Sequence, residues 1–84
     1  MTPKQSPHIP KSHLKISQAA AAAGVSKQTV EYYIMLGLIK PLRHADSPHR
    51  YFDHTIVRRI KLIRRLNQSG YTLRSIRETY LQQR

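Results

Sequence analysis

The first half of the chain contains two short stretches of helix-forming residues separated by a turn. We predict Ser17 as the N-cap of a helix over 18–23, which ends at Gly24 in the position that favours a left-handed residue. Ser26 is the N-cap of a second predicted helix, from 27 to about 36. Only three residues separate these helices and one of them is glycine, so the pattern predicts a helix-turn-helix.

The second predicted helix has an inner face and an outer face. At about 100° per residue, Val30, Tyr33 and Ile34 share the apolar inner face. Lys27 lies at the rim of this helix near its N-terminus. The outer face is the surface available to a binding partner, and it carries Gln28, Thr29, Glu31, Tyr32 and Met35.

The second half of the chain predicts two further helices. Asp53 is the N-cap of the first, over 54–69, and Thr72 is the N-cap of the second, from 73 to about 81. The longer helix is amphipathic, with an outer face that is mostly cationic. Its predicted inner residues are Ile56, Ile60, Ile63 and Asn67, and its outer residues are Arg58, Lys61, Leu62 and Arg65. The apolar stripe of the last helix consists of Leu73, Ile76 and Tyr80.

The segment between the second and third helices predicts a β-hairpin. Residues 42–43 and 50–52 have strand character, and 44–48 have the polar and proline composition of a turn. The element order is therefore helix, tight turn, helix, hairpin, helix, helix. This order predicts a mainly α fold, a winged helix-turn-helix with four helices and a β-hairpin wing.

The remainder of the chain is a short N-terminal segment. Three prolines interrupt residues 1–13, and most of the other side chains there are polar. We expect a flexible tail at 1–13 and a single domain at 14–84.

The net charge of the chain indicates an anionic partner. The 84 residues contain 15 Lys and Arg against 4 Asp and Glu, for a formal net charge of +11. The excess is greater in 43–84, where most of the cations are arginines, which suit bidentate contact with phosphate and guanine. Nucleic acid and an acidic membrane surface are both compatible with this charge.

Several classes of function are disfavoured by composition. The chain has no cysteine, which excludes disulfides and a cysteine metal site. No apolar run approaches the roughly 18 residues of a membrane span, and no secretion signal is visible. Four acidic residues, without a glycine-rich phosphate loop, do not suggest an enzyme, and we expect neither a cofactor nor a bound metal. We expect a cytoplasmic protein that associates with the nucleoid.

In a winged helix-turn-helix the second helix enters the major groove of DNA and the wing lies along the backbone. Glutamine pairs with adenine, threonine contacts several bases, and a tyrosine hydroxyl can donate to phosphate. The arginines on the two arms of the hairpin suit phosphate or minor-groove contact. On this argument the predicted DNA-binding residues are Gln28, Thr29, Tyr32, Arg43 and Arg50.

From Leu14 to about Leu81 the sequence resembles the N-terminal DNA-binding domain of the MerR family of bacterial regulators. The resemblance rests on segments 16–20, 24–30 and 37–41, together with Tyr32-Tyr33, Arg43, Arg50-Tyr51-Phe52 and Gly70-Tyr71-Thr72-Leu73. It implies a recognition helix from Ser26 to Tyr33, a phosphate contact by Tyr32 and a wing that carries Arg43 and Arg50. The resemblance also adds Ser26, Lys27, Tyr51, Arg58 and Arg59 to the predicted DNA-binding residues. Tyr51 is equally compatible with packing in the core. The expected function is sequence-specific binding of double-stranded DNA in transcription regulation.

Two features depart from that family. Glu31 replaces the arginine that usually precedes the tyrosine pair, so either the base preference differs or Glu31 pairs with a nearby cation such as Lys27. The chain also ends at Arg84, before the long dimer helix and effector domain of typical members. We therefore expect a monomer without a small-molecule effector, able to self-associate or bind cooperatively on DNA. Alternative functions are an excisionase-like architectural factor and a protein-interaction adaptor.

Overall fold

The computed structural model describes residues 13–81 and shows a mainly helical domain. A two-stranded antiparallel hairpin lies between the second and third helices. The elements are α1 (Ile16–Ala23), α2 (Lys27–Met35), β1 (Leu42–Arg43), β2 (Arg50–Tyr51), α3 (His54–Gln68) and α4 (Leu73–Ile76), and α4 is followed directly by a π-helical segment (Arg77–Leu81). The predicted fold class is therefore confirmed, and of the predicted tail only His13 lies within the described residues.

Three helices begin where the sequence predicts, because each has a short polar N-cap side chain. Ser26 Oγ accepts the Thr29 N–H at 3.0 Å at the start of α2. Asp53 Oδ1 accepts from the backbone of α3 at 2.9 Å, and Thr72 Oγ1 accepts from the backbone of α4 at 3.0 Å. Each bond satisfies a backbone N–H that has no partner within its own helix.

The predicted start of α1 is wrong. Ser17 lies within the helix, and Lys15 is the N-cap residue. The Lys15 backbone N–H donates to Gln18 Oε1 at 2.8 Å. This is the half of a capping box in which the N3 side chain reaches back to the N-cap backbone, so the helix begins before the serine.

The turn between α1 and α2 has the geometry of a helix-turn-helix. Gly24 has a φ of 76°, a left-handed conformation that glycine adopts without steric cost. The Val25 N–H then donates to the Ala20 carbonyl at 3.0 Å, which closes the end of α1. The short turn therefore fixes the direction of α2 relative to α1.

A single apolar core holds the helices and the base of the hairpin together. The small alanine side chains on the buried face of α1 allow both α2 and α3 to pack closely against it. The buried residues are Ala19, Ala20, Ala23, Val30, Tyr33, Leu38, Ile39, Phe52, Ile56, Val57, Ile60, Ile63 and Ile76. None of the helices within residues 13–81 is long and apolar enough to cross a membrane.

One predicted inner residue of α3 is on the surface. Asn67 is exposed, and its Nδ2 donates to the Tyr71 carbonyl at 2.8 Å. A buried amide needs partners for each donor and acceptor, whereas at the end of α3 Asn67 can bond to the following turn. The side chain of Tyr80, assigned to the stripe of the last helix, lies outside what the structure describes.

The wing is attached to the core at its base. Leu42 pairs with Tyr51 and Arg43 pairs with Arg50 across the two strands. Beyond this short ladder, Phe52 and Leu14 exchange backbone hydrogen bonds of 2.7 and 2.8 Å. Because Phe52 is fully buried, this bridge anchors the wing both to the core and to the segment that leads into α1.

The last helical segment supports the end of α2. Arg77 Nη1 donates to the Leu36 carbonyl at 3.2 Å. Leu36 is the C-cap of α2, and Gly37 follows it in a left-handed conformation. A cation at a helix C-terminus meets the negative end of the helix dipole, so this contact stabilises the C-terminus of α2.

Candidate nucleic-acid interface

The N-terminal turn of α2 presents a polar surface. Lys27 and Gln28 are exposed, whereas Thr29 is half-buried. The hydroxyls of Ser26 and Thr29 lie 2.9 Å apart in a hydrogen bond. This bond orders the first turn of the helix and leaves the amide of Gln28 on the outer surface.

The two adjacent tyrosines of α2 have opposite environments. Tyr32 is 49% exposed, whereas Tyr33 is 5% exposed within the core. Burial raises the pKa of Tyr33 above its ordinary value, against a smaller opposing influence of Arg64. This difference confirms the predicted inner and outer faces of α2, and it leaves Tyr32 accessible to a partner.

The two wing arginines lie directly opposite each other on the hairpin. Arg43 pairs with Arg50 in the strand register, which brings two like charges onto one face. Such a pair is destabilising unless other groups satisfy it. Arg43 is exposed, and its Nη1 donates to the Pro48 carbonyl in the wing turn at 3.0 Å.

Arg50 is bound by the carboxylate of Glu31. Its Nη1 donates to Glu31 Oε1 at 3.2 Å, and its Nη2 donates to Oε2 at 2.9 Å. The hydrogen bond from Arg50 is the main reason that the pKa of Glu31 lies below its usual value, and the charge of Lys27 acts weakly in the same direction. The carboxylate in turn raises the pKa of Arg50. Glu31 does form an ion pair, but its partner is the wing arginine and not Lys27.

Sequence reasoning missed this partner because the two residues are 19 positions apart. One signal was present, however. Two arginines on facing arms of a hairpin favour a nearby acid, and Glu31 is the only acidic residue in the first half of the chain.

Tyr51 belongs to a cluster of three rings on the other face of the hairpin. Its ring stacks on His44 with centroids 4.7 Å apart, and it meets the edge of His13 at 4.2 Å. The two histidine rings are themselves 4.8 Å apart. Tyr51 is half-buried, so its ring braces the wing against the segment before α1.

The predicted residues of α3 do not share one direction. Arg58 and Arg59 are both exposed. Arg58 lines a shallow surface cleft with Lys61, Leu62 and Arg65. Arg59 is the next residue along the helix, so its side chain points about 100° away from that of Arg58. Arg58 therefore belongs to the cationic outer face of α3.

The main feature of the described residues that is suited to binding is a cationic surface. No group of three or more His, Asp or Glu side chains within 13–81 is placed to hold a metal ion. The exposed cations of α2, the wing and α3 greatly outnumber the acids near them. Such a surface attracts a polyanion, and the exposed glutamine and tyrosine on α2 add groups that can distinguish base edges and meet phosphates.

Comparison with known proteins agrees with this geometry. Residues 14–83 match the family described as "MerR HTH family regulatory protein". A similar solved structure is the transcription regulator PbrR691 from Ralstonia metallidurans CH34 in complex with lead(II). Its TM-score is 0.72 at 28% sequence identity, over 77% of this chain and 51% of that one.

The curated relatives include two proteins that are named as regulators. The chain is 45% identical over 49 residues to the HTH-type transcriptional regulator CueR of Bacillus subtilis, which covers 58% of this chain and 34% of the relative. It is 34% identical over 62 residues to the mercuric resistance operon regulatory protein of Bacillus cereus, covering 74% and 47%. It is also 34% identical over 64 residues to the nodulation protein NolA of Bradyrhizobium elkanii, covering 76% and 29%. The chain therefore spans less than half the length of each of these relatives.

Proposed function

Because the chain belongs to the MerR family of helix-turn-helix regulators, we propose that it binds double-stranded DNA sequence-specifically, with α2 in the major groove and the wing along the adjacent backbone. The observation that carries the proposal is the outer face of α2. Gln28 and Tyr32 are exposed there, while Val30 and Tyr33 on the opposite face are buried. A helix held by one face and polar on the other can enter a groove without loss of its core contacts.

The proposed contacts with DNA are of two kinds, those that read base edges and those that bind phosphates. Gln28 and Thr29 read base edges, and Ser26 and Lys27 contact the backbone beside the helix N-terminus. Tyr32 donates to a phosphate. The wing and the start of α3 provide the remaining backbone contacts, through Arg43, Arg50, Tyr51, Arg58 and Arg59.

The test is selection from randomised duplex DNA, followed by titration of the enriched duplex at several salt concentrations. We expect an enriched motif and a log–log salt slope of about −0.9 for each phosphate neutralised. Arg50 is left out of the count because Glu31 balances its charge, so if Lys27, Arg43, Arg58 and Arg59 all neutralise phosphates, the slope is about −3.6. A selection that enriches no sequence, with binding that does not weaken in salt, would overturn the proposal.

We further propose that these 84 residues bind DNA as a monomer and without a small-molecule effector, in the cytoplasm and at the nucleoid. What supports this is that α2, the wing and α3 are held on one core, so that the surface does not depend on a second copy. Sedimentation of the chain at micromolar concentration tests the first point. Titration of DNA binding with mercury(II) and lead(II), the ions in the names of two similar proteins, tests the second.

The regulatory and architectural alternatives differ in what they do to DNA. A transcription regulator changes promoter output from its site, whereas an excisionase-like factor acts by bending or bridging DNA. Electrophoretic mobility of circularly permuted duplexes that carry the enriched motif separates the two. We propose that the chain is a transcription regulator, since two of the relatives named above are regulators by name.

A further inference from the structure

We infer that Glu31 is a positioning residue that determines specificity by holding Arg50 beside the base-reading face of α2. This inference rests on the proposed function, because it concerns how the same surface selects its DNA. The juxtaposition that carries it is the two-point contact between α2 and the wing, at 2.9 and 3.2 Å.

The geometry leaves Arg50 able to contact DNA while it is held. A guanidinium has five N–H donors, and Glu31 takes one from each terminal nitrogen. Three donors remain, among them the edge that includes Nε, which fits the oxygens of a phosphate. The Arg50 side chain is 29% exposed and that of Glu31 is 46% exposed, so the pair lies at the surface where a backbone would pass.

The pair also defines where on α2 that contact falls. Glu31 lies three residues after Gln28, so the two side chains are neighbours on the helix surface. A phosphate bound by Arg50 is therefore held at a set distance from the base that Gln28 reads. A flexible arginine on a two-residue strand has no such constraint.

The negative charge of Glu31 contributes to selectivity in a second way. Arg50 and Glu31 together have no net charge, so they add little to attraction for DNA of arbitrary sequence. A phosphate in the right place can still use the free donors of Arg50. Glu31 therefore weakens non-specific binding, whereas at the specific site the positioning of Arg50 more than offsets the added negative charge, and the ratio of specific to non-specific affinity rises.

Glu31→Gln tests this inference, with Glu78→Gln as the matched control. Glu78 forms the other ion pair seen within residues 13–81, with Arg74 at 3.2 Å, and it is four positions from its partner on the last helical segment. Each substitution removes one negative charge. The probes are the duplex enriched by the wild-type chain and a scrambled duplex of the same length and composition, and thermal unfolding of each variant is measured in parallel.

We expect Glu31→Gln to tighten binding to the scrambled duplex and weaken binding to the enriched one. The ratio of the two affinities should fall by roughly fivefold or more, the scale of one unit charge acting over a few ångströms in water. Glu78→Gln should leave the ratio unchanged. Arg50→Lys is the second variant, because it keeps the charge but loses the two-point contact, and it should lower the ratio in the same direction.

The outcomes separate the inference from the proposed function. If the wild-type chain enriches no sequence, the proposed function fails and the inference fails with it. If a motif is enriched but Glu31→Gln keeps the wild-type ratio, or if Glu31→Gln and Glu78→Gln behave alike, only the inference is overturned. If Arg50→Lys preserves the ratio, Arg50 acts as a charge alone and the positioning role of Glu31 is refuted.

Discussion

Removal of a single hydroxyl from α2 tests the assignment of Tyr32 to the DNA backbone. Tyr32→Phe keeps the ring and deletes only the group proposed to donate to phosphate. Because Tyr32 is about half exposed, we expect no measurable change in the free energy of unfolding. Any change in affinity for DNA is then attributable to the lost contact.

The expected size follows from the exposure of the side chain. Hydrogen bonds to charged groups contribute about 1.5–3 kcal/mol. The Tyr32 hydroxyl is on the accessible side of α2, so water competes for it before DNA binds, and the lower end of the range applies. A loss of roughly tenfold in affinity is therefore expected, and it should be the same for the enriched and scrambled duplexes, since phosphates are present in both.

The assay is fluorescence anisotropy with labelled duplexes, and Tyr33→Phe is the matched control. Tyr33 is buried, so its hydroxyl is not available to DNA and its loss should leave the affinity unchanged. The reasoning is refuted if Tyr32→Phe binds like the wild type. It is equally refuted if Tyr33→Phe weakens binding as much as Tyr32→Phe does.

The remaining predictions concern one base reader, one backbone contact, one helix cap and one pH effect. Gln28→Ala should reduce the preference at a single base pair by about 1–3 kcal/mol, measured on singly substituted duplexes, and a uniform loss would contradict its role as a reader. Arg43→Ala should weaken binding to every duplex and make the log–log salt slope about 0.9 shallower; an unchanged slope would exclude a phosphate contact. Asp53→Ala should lower the free energy of unfolding in urea by about 1 kcal/mol, because its carboxylate caps α3, and a neutral result would show that the cap contributes nothing. The pKa of Glu31 is lowered by Arg50, so the contribution of the ion pair to stability is present at neutral pH and is lost as the pH falls below 4.5 through the folded-state pKa. The difference in unfolding free energy between the wild type and Glu31→Gln should therefore shrink in that range. A difference that is constant with pH would argue against the ion pair.

The helix starts show where sequence reasoning is accurate and where it is not. Ser26, Asp53 and Thr72 are caps in the structure as predicted, since capping is a local bond between residues three positions apart. The prediction at Ser17 is wrong because a glutamine can supply the same kind of bond from inside the helix. Residue type alone does not decide between these two local solutions.

The faces of the helices follow a similar rule. The periodicity of α2 separates Tyr32 from Tyr33 correctly, because the core needs one continuous apolar stripe. It fails at Asn67, which is at the correct angle for burial but bonds to the turn after α3 instead. The angular position of a side chain around the helix axis follows from its place in the sequence. Its burial depends in addition on how far the neighbouring elements extend along the helix.

By itself the sequence determined the order of the elements, most of their caps, the outer face of α2 and the cationic character of the surface, since each depends on residues close together in the chain. Only the tertiary structure decided that Glu31 meets Arg50 and that Phe52 bridges to Leu14. Those contacts join residues that are 19 and 38 positions apart. The sequence contains many other residues that are chemically able to pair with Glu31 or with the backbone of Phe52. The packing of the wing against α2 and the start of α1 selects one partner for each. It places the Glu31 carboxylate against Arg50, the arginine that the sequence alone assigns to DNA.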